Sequence, residues 1–231
     1  MMAPPVLLLL ELVLYVSCFV CGIVTAASIT IVQGDFGGRC MLYGIVNYNA
    51  TAKLIGVQSS SSPSLCYFAS AISILVAVMC FSLSLYWGYT LCFDTDQRRE
   101  RMSMNVVVVL CGVFLFFLLI TGCMLKIGRD SLCSSITKTV TNITSCEQAQ
   151  TLKWAIPRSG GPFFSGLQKA ETAVWVNFFF WIIIGVLVFV QRRQSSKVIA
   201  GGGPGAGLFG GDSGVTPEET EPFFNNPARP Q

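Results

Sequence analysis

The chain has 231 residues, of which 52% are apolar and only 12% are charged. Soluble domains carry about 25% charged residues, and the mean hydropathy here is +0.62. These values argue against a soluble domain with one large core and indicate a membrane protein. The net charge is +3 with scattered basic residues, which argues against a nucleic-acid surface. The chain has no histidine, and so lacks the commonest general base and imidazole metal ligand.

The first apolar run, residues 6–32, is long enough to cross a bilayer, which takes about 20 residues. A cleaved signal peptide is the rival interpretation, because Thr25, Ala26 and Ala27 are small enough for a cleavage site. The length of the run and the lack of a basic segment before it favour an uncleaved helix.

Three further apolar runs predict spanning helices at residues 65–91, 104–125 and 173–190. In the first of these three, Ala69, Ser73 and Ala77 recur every four residues and so share one helix face. Small residues at this spacing predict a close helix–helix contact within lipid.

A charged stretch, residues 92–103, separates the second and third runs. It contains six charged side chains. A charge at the centre of a spanning helix costs roughly 2.5–3.5 kcal/mol, so six would cost on the order of 15 kcal/mol. We therefore predict that this stretch is a turn in water on the cytosolic side.

The predicted fold is an all-α membrane protein, a four-transmembrane-helix bundle with two lumenal or extracellular loops. The loops are residues 33–64 and 126–172, and the first contains two short apolar segments that could pair as a hairpin. The cytosolic tail is residues 191–231. From about residue 201 it holds eight glycines and five prolines and is predicted to be disordered.

The sidedness follows from charges and glycosylation acceptors. Arginines lie in the 92–103 turn and directly after the fourth run, which matches the positive-inside rule. The acceptors Asn49 and Asn142, each in an Asn-x-Thr sequence, fall on the opposite side. The second loop holds six basic residues, which weakens the charge argument, although they are spread over 47 positions. We expect both termini to be cytosolic.

The ten cysteines divide along the same boundary. Cys40, Cys66, Cys133 and Cys146 lie in or beside the loops, where thiols are oxidised. Pairing within each loop is the simplest of three possibilities, and cross-loop pairing would clamp the two helical hairpins together. Cys92, at the cytosolic boundary, could be palmitoylated or unmodified. The others lie inside apolar runs and are interpreted as packing residues: Cys18, Cys21, Cys80, Cys111 and Cys123.

Two polar side chains within the apolar runs, Glu11 and Asn177, are considered for a role in function or in helix contacts. Glu11 is expected to snorkel to the cytosolic interface, with pairing to another helix, nearest Asn105 in depth, as the alternative. Asn177 is expected to meet water or lipid headgroups rather than to bridge helices. The sequence contains no acid–base constellation, so no catalytic residue, metal site or cofactor is predicted.

Five segments of the sequence carry a resemblance to a known family: 36–44, 63–68, 131–136, 142–150 and 170–177. Together they resemble the transmembrane protein 179 family, nearer its B branch. The likeness runs from about Glu11 to Trp181, and the glycine-rich tail departs from it. The likeness implies a four-helix multi-pass membrane protein without an established activity. It is also consistent with the interpretation that the four loop cysteines belong to one disulfide framework. Tetraspanins and claudins fit less well, because no loop has adjacent cysteines and the first loop is not rich in tryptophan.

The expected function is that of a non-enzymatic tetraspan of the plasma or secretory-vesicle membrane. Its partners would be the lipid bilayer and unidentified membrane or lumenal proteins, with no nucleic acid. A small channel or transporter subunit is the alternative, with Glu11 as its intramembrane charge.

Overall fold

The structure is a computed structural model that describes residues 4–92, 100–140, 143–155 and 162–201. Each of its four long helices contains a stretch long and apolar enough to cross a membrane. The prediction of a multi-pass membrane protein with four spanning helices is confirmed. The helices are α1 Pro4–Asp35, α2 Pro63–Cys92, α3 Glu100–Thr139 and α4 Phe163–Gly201.

Helix α1 packs against α2 and α4, and α3 packs against α4, whereas the contact between α2 and α3 is small. The order around the bundle is therefore α2–α1–α4–α3. Trp181 of α4 is fully buried at the centre. Its ring centroid lies 6.2 Å from that of Tyr15 on α1 and 4.9 Å from that of Phe114 on α3.

The predicted small-residue face forms the α1–α2 contact. Ala69, Ser73 and Ala77 are all buried. A Cβ atom placed on Gly22 of α1 would lie 2.8 Å from the Ser73 carbonyl oxygen and 3.0 Å from the Ala77 Cβ. The two backbones approach this closely because no side chain stands between them, as the four-residue spacing predicts.

A small sheet covers one end of the bundle, called the sheet end below; the other end, where α2 ends and α3 begins, is called the turn end. Strands β1 (Cys40–Asn49) and β2 (Leu54–Ser61) form an antiparallel hairpin, and β3 (Lys153–Trp154) pairs with β2 in parallel. The first loop is therefore a hairpin, as one interpretation of the sequence proposed. The fold is mostly helical rather than all-α.

Four of the predicted boundaries differ from the helix ends, because α3 and α4 continue beyond the apolar runs at both ends. Residues 126–139 and 163–172, assigned to the second loop, are helical. At 1.5 Å per residue, the added part of α3 is about 21 Å long. Residues 100–103 of the predicted turn and 191–201 of the predicted tail are helical as well. The rest of the turn and the tail lies outside the described residues.

The extension of α3 is stabilised by packing against the hairpin. Leu132 and Ile136 of α3 are fully buried. The β1 strand packs along this segment, and the Val46 N–H donates a hydrogen bond to the Ser135 Oγ at 3.1 Å. This contact buries the apolar face of a helical segment that continues beyond the apolar run.

An aromatic core joins the second loop to the ends of α1 and α4. Phe36, Trp154 and Phe163 are buried, and their rings meet edge to face at centroid distances of 5.3 to 6.0 Å. The Trp154 Nε1–H donates to the Ala149 carbonyl at 3.0 Å. Ala149 belongs to a 3₁₀ helix, Cys146–Thr151. The strands, this 3₁₀ helix and residues 126–139 of α3 form what is called the sheet-end domain below.

Candidate functional sites in the sheet-end domain and the helix bundle

Two disulfides brace the sheet-end domain. Cys40 at the start of β1 is joined to Cys66 in the first turn of α2, with Cα atoms 5.7 Å apart. Cys133 on the α3 extension is joined to Cys146 at the start of the 3₁₀ helix, with Cα atoms 5.2 Å apart. The structure thus contains the within-loop pairing and not the cross-loop pairing. Native disulfides are worth about 2–4 kcal/mol each, so these two links stabilise the domain strongly.

One face of β1 is turned away from the protein. Side-chain burial alternates along the strand, as it does where one side of a sheet packs on a core. Ile45 and Asn47 are exposed, and Ile45 exposes about half of its surface. Tyr43 keeps 37% of its surface exposed, although one edge of its ring lies beside Gly128 of α3. These three residues are called the outer β1 face below, and they combine an aromatic, an aliphatic and an amide side chain on a fixed strand.

Asn49 is exposed at the end of β1, where the hairpin turns. Its Oδ1 accepts hydrogen bonds from the N–H groups of Thr51 at 3.0 Å and Ala52 at 3.2 Å. The side chain therefore caps the turn in the manner of an Asx turn. This position is open to a transferase, and glycosylation of Asn49 stays a prediction. Asn142, the second acceptor, lies outside the described residues.

An ion pair not foreseen from the sequence joins the α3 part of the sheet-end domain to α4. The Arg129 Nη1 lies 2.5 Å from the Glu171 Oε2, with 18% and 12% of the two side chains exposed. Arg129 also contacts Asp130 at 3.0 Å and lies over the Phe164 ring at 5.9 Å. The two residues are 42 positions apart in the chain, so only the packing of the two helix extensions could reveal the pair.

Glu11 is fully buried between α1 and α4, so the prediction that it snorkels to the interface is wrong. Its Oε1 accepts a hydrogen bond from the Gln191 Nε2. The alternative, pairing with another helix, is the observed arrangement, although the partner is Gln191 and the Asn105 side chain lies outside the described residues. Gln191 can reach Glu11 because α4 continues as a helix past residue 190, where the predicted span ended.

Asn177 is also buried, so the prediction that it meets water or headgroups is wrong. Its Nδ2 donates to the Cys18 carbonyl oxygen of α1 at 3.4 Å. The residue faces α1 because it lies one turn from Trp181 on the inner face of α4. Several buried polar atoms of this interface have no hydrogen-bond partner among the described residues: Glu11 Oε2, Tyr15 Oη, Asn177 Oδ1 and Trp181 Nε1.

The cysteines of the spans have mixed environments. Cys18, Cys80 and Cys111 are buried, as expected for packing residues, and Cys21 is half-buried. Cys123 is exposed on the outside of the bundle, so for it the packing interpretation is wrong. The Cys92 side chain, predicted as a possible palmitoylation site, lies outside the described residues. Within the described part of the chain, no three acidic or cysteine side chains are grouped to hold a metal ion.

The chain matches a family profile described as the transmembrane protein 179/179B claudin domain over residues 7–222. It is 58% identical to transmembrane protein 179B of Danio rerio, over 99% of this chain and 100% of that protein. It is 38% identical to the Homo sapiens protein of the same name, over 80% of this chain and 83% of that protein. No solved structure matches the chain.

Two expectations from the sequence are corrected by these matches. The rejection of a claudin relationship is wrong, because it depended on the composition of single loops, whereas the profile spans the whole bundle. The likeness also extends past Trp181 into the tail, to residue 222. The loop motifs and the match over residues 7–222 agree, and the chain belongs to the transmembrane protein 179/179B claudin-domain family.

Proposed function

We propose that this protein is a non-enzymatic interaction protein of the plasma or secretory-vesicle membrane. In this proposal the outer β1 face presents a fixed surface to partner membrane or lumenal proteins. The observation that carries it is an exposed Tyr43–Ile45 pair on a strand held by a disulfide and by the α3 extension. Aromatic residues are enriched at interfaces, and exposed apolar groups on a rigid element lose little entropy on binding.

The sheet end would face the lumen or the cell exterior. The two disulfides and the exposed acceptor Asn49 lie at this end, and both fit an oxidising compartment with the glycosylation machinery. At the turn end, Arg193 is exposed and its guanidinium lies 4.7 Å from the Phe189 ring centroid. Basic residues beside the membrane favour the cytosolic side. An epitope inserted at Asp96 tests the orientation, since antibody access in unpermeabilised cells would refute it.

The interaction surface is tested by proximity labelling in intact cells with the labelling enzyme fused to the full chain. Ile45→Asp places a charge on the outer β1 face, and Glu147→Lys changes the charge of an exposed residue on the 3₁₀ helix as the matched control. We expect Ile45→Asp to remove a specific subset of labelled proteins and Glu147→Lys to retain it. An unchanged set for Ile45→Asp, with normal surface expression, would contradict the proposed surface.

A channel or transporter subunit is the second candidate, favoured by the buried Glu11 and Asn177 between α1 and α4. Intramembrane ionisable residues often belong to ion or proton pathways. The fully buried Tyr15 and Trp181 fill the space between these two groups, which favours the interaction protein. Ion flux into liposomes that is lost on Glu11→Gln would reverse this preference.

A further inference from the structure

A cleft of about 560 Å³ lies on the outside of the bundle between α1 and α4. Its walls change in character along its length. One part is lined by Gln168, Lys169 and Thr172 of α4, and the other by the valines Val20 and Val24 of α1 together with Val176 of α4. The volume falls in the range of about 300–1,000 Å³ that is typical of ligand sites.

The polar part of the cleft lies toward the sheet end. Gly166 is level with the end of α1, because a Cβ atom there would lie 2.6 Å from the Val32 Cγ2. Lys169 follows three residues later, which is about 4.5 Å along the helix axis. Val176 is a further seven residues along, about 10 Å further along the helix axis. The apolar run of α4 begins at residue 173, so the polar part of the cleft precedes this run and Val176 lies within it.

Lys169 has no ion pair with a carboxylate in the described part of the chain. The nearby acid on the same helix, Glu171, is bound by Arg129 of α3. The Lys169 side chain is exposed at the mouth of the cleft, and the exposed Thr172 lies less than one turn further in. An ammonium group and a hydroxyl group are thus available to an anionic ligand at the level of the lipid headgroups.

We propose that this cleft binds one phospholipid of the sheet-end leaflet. The Lys169 ammonium group donates hydrogen bonds to the lipid phosphate, and one acyl chain lies along Val20, Val24 and Val176. A phospholipid fits both parts of the cleft in the correct order, because its phosphate stays at the interface and its chain enters the hydrocarbon. The negative phosphate complements the uncompensated charge of Lys169.

The test is the retention of phospholipid by the purified full chain, measured by native mass spectrometry at increasing detergent washing. Lys169→Ala removes the phosphate contact. Lys126→Ala is the matched control, because Lys126 is also exposed near the sheet-end boundary but belongs to α3 and lies outside the cleft. Val24→Trp fills the cleft. A melting curve for each variant establishes that it is folded, and Lys169→Gln replaces Lys169→Ala if that variant is not.

We expect one phospholipid bound to the wild type and to Lys126→Ala, with an apparent dissociation constant about tenfold higher in both Lys169→Ala and Val24→Trp. A tenfold change is equivalent to about 1.4 kcal/mol. Equal retention by all four proteins would show non-specific surrounding lipid only and would overturn the proposal. Loss in Val24→Trp without loss in Lys169→Ala would also overturn it, since the phosphate contact would then contribute nothing.

Discussion

Replacing Gly22 by alanine tests the closest helix contact in the bundle. The new Cβ would lie 2.8 Å from the Ser73 carbonyl oxygen, which is backbone and cannot rotate away, and 3.0 Å from the Ala77 Cβ. Helices α1 and α2 must therefore separate. Overpacking of this kind costs about 1–3 kcal/mol. The higher helix propensity of alanine offsets up to about 1 kcal/mol of this cost. We therefore expect the free energy of unfolding to fall by about 1–2 kcal/mol.

The matched control is Gly112→Ala in α3. A Cβ atom at Gly112 would have no neighbour within 4 Å, so this variant gains helix propensity without a clash. For a chain of this size, 1 kcal/mol shifts the melting temperature by about 2–4 °C. Thermal unfolding in detergent should therefore show Tm lower by about 2–8 °C for Gly22→Ala, and unchanged or slightly higher for Gly112→Ala.

Equal melting temperatures for the two variants would refute the reasoning, because an added Cβ atom meets α2 at Gly22 and has no neighbour within 4 Å at Gly112. A larger residue extends the test. Gly22→Leu should prevent the α1–α2 contact and greatly reduce the yield of folded protein, while Gly112→Leu should be tolerated. Tolerance of Gly22→Leu would mean that α1 and α2 do not pack through this face.

Three further predictions concern other contacts. Asn49→Gln and Asn142→Gln should each remove one glycosidase-sensitive mobility shift. If there is only one shift and only Asn142→Gln removes it, the hairpin turn at Asn49 is excluded as an acceptor. Arg129→Ala leaves the Glu171 carboxylate without its partner, so we expect a loss of about 2 kcal/mol in the free energy of unfolding, less than the 3–5 kcal/mol of a fully buried pair. The Tm in detergent measures this loss, and combining the change with Glu171→Gln should recover part of it. Glu11→Gln should retain the hydrogen bond from α4, whereas Glu11→Leu should lower the free energy of unfolding by about 1 kcal/mol relative to Glu11→Gln. Equal melting temperatures for these two variants would show that the hydrogen bond contributes nothing.

The spans could be predicted from the sequence because lipid selects for uninterrupted apolar length. The helix extensions at the sheet end could not. Lys126 and Arg129 end the apolar run, so hydropathy places the end of the helix there. The helix continues because Leu132 and Ile136 find a surface on β1, and that surface exists only after the hairpin has formed. Beyond the apolar run, tertiary packing and not hydropathy determines where α3 ends.

The third strand was missed for a similar reason. Lys153 and Trp154 are too short a segment to give a strand pattern, and they become a strand only by pairing with Leu54 and Ile55. The hairpin itself was visible, because apolar segments flank a turn-forming Asn-containing sequence. A two-residue strand far along the chain carries no local signal, and its position depends on the aromatic core around Trp154.

The face of α1 that turns toward the other helices is determined by residues that hydropathy does not distinguish from the lipid-facing ones. Buried positions on this helix recur at spacings of four and three residues, which keeps them on one face. They are Glu11, Tyr15, Cys18, Gly22, Thr25 and Ile29, all buried, whereas Val13, Val16, Val20 and Ile23 are exposed. Valine and isoleucine are as stable in lipid as in a protein core, so apolar residues carry no inward signal. The inward face is marked by two kinds of residue. Carboxyl and hydroxyl groups have the highest free energy in contact with lipid, and small groups permit the close approach of another helix. On this argument a polar residue within a span should be expected first between helices, and the burial of both Glu11 and Asn177 then has one physical cause.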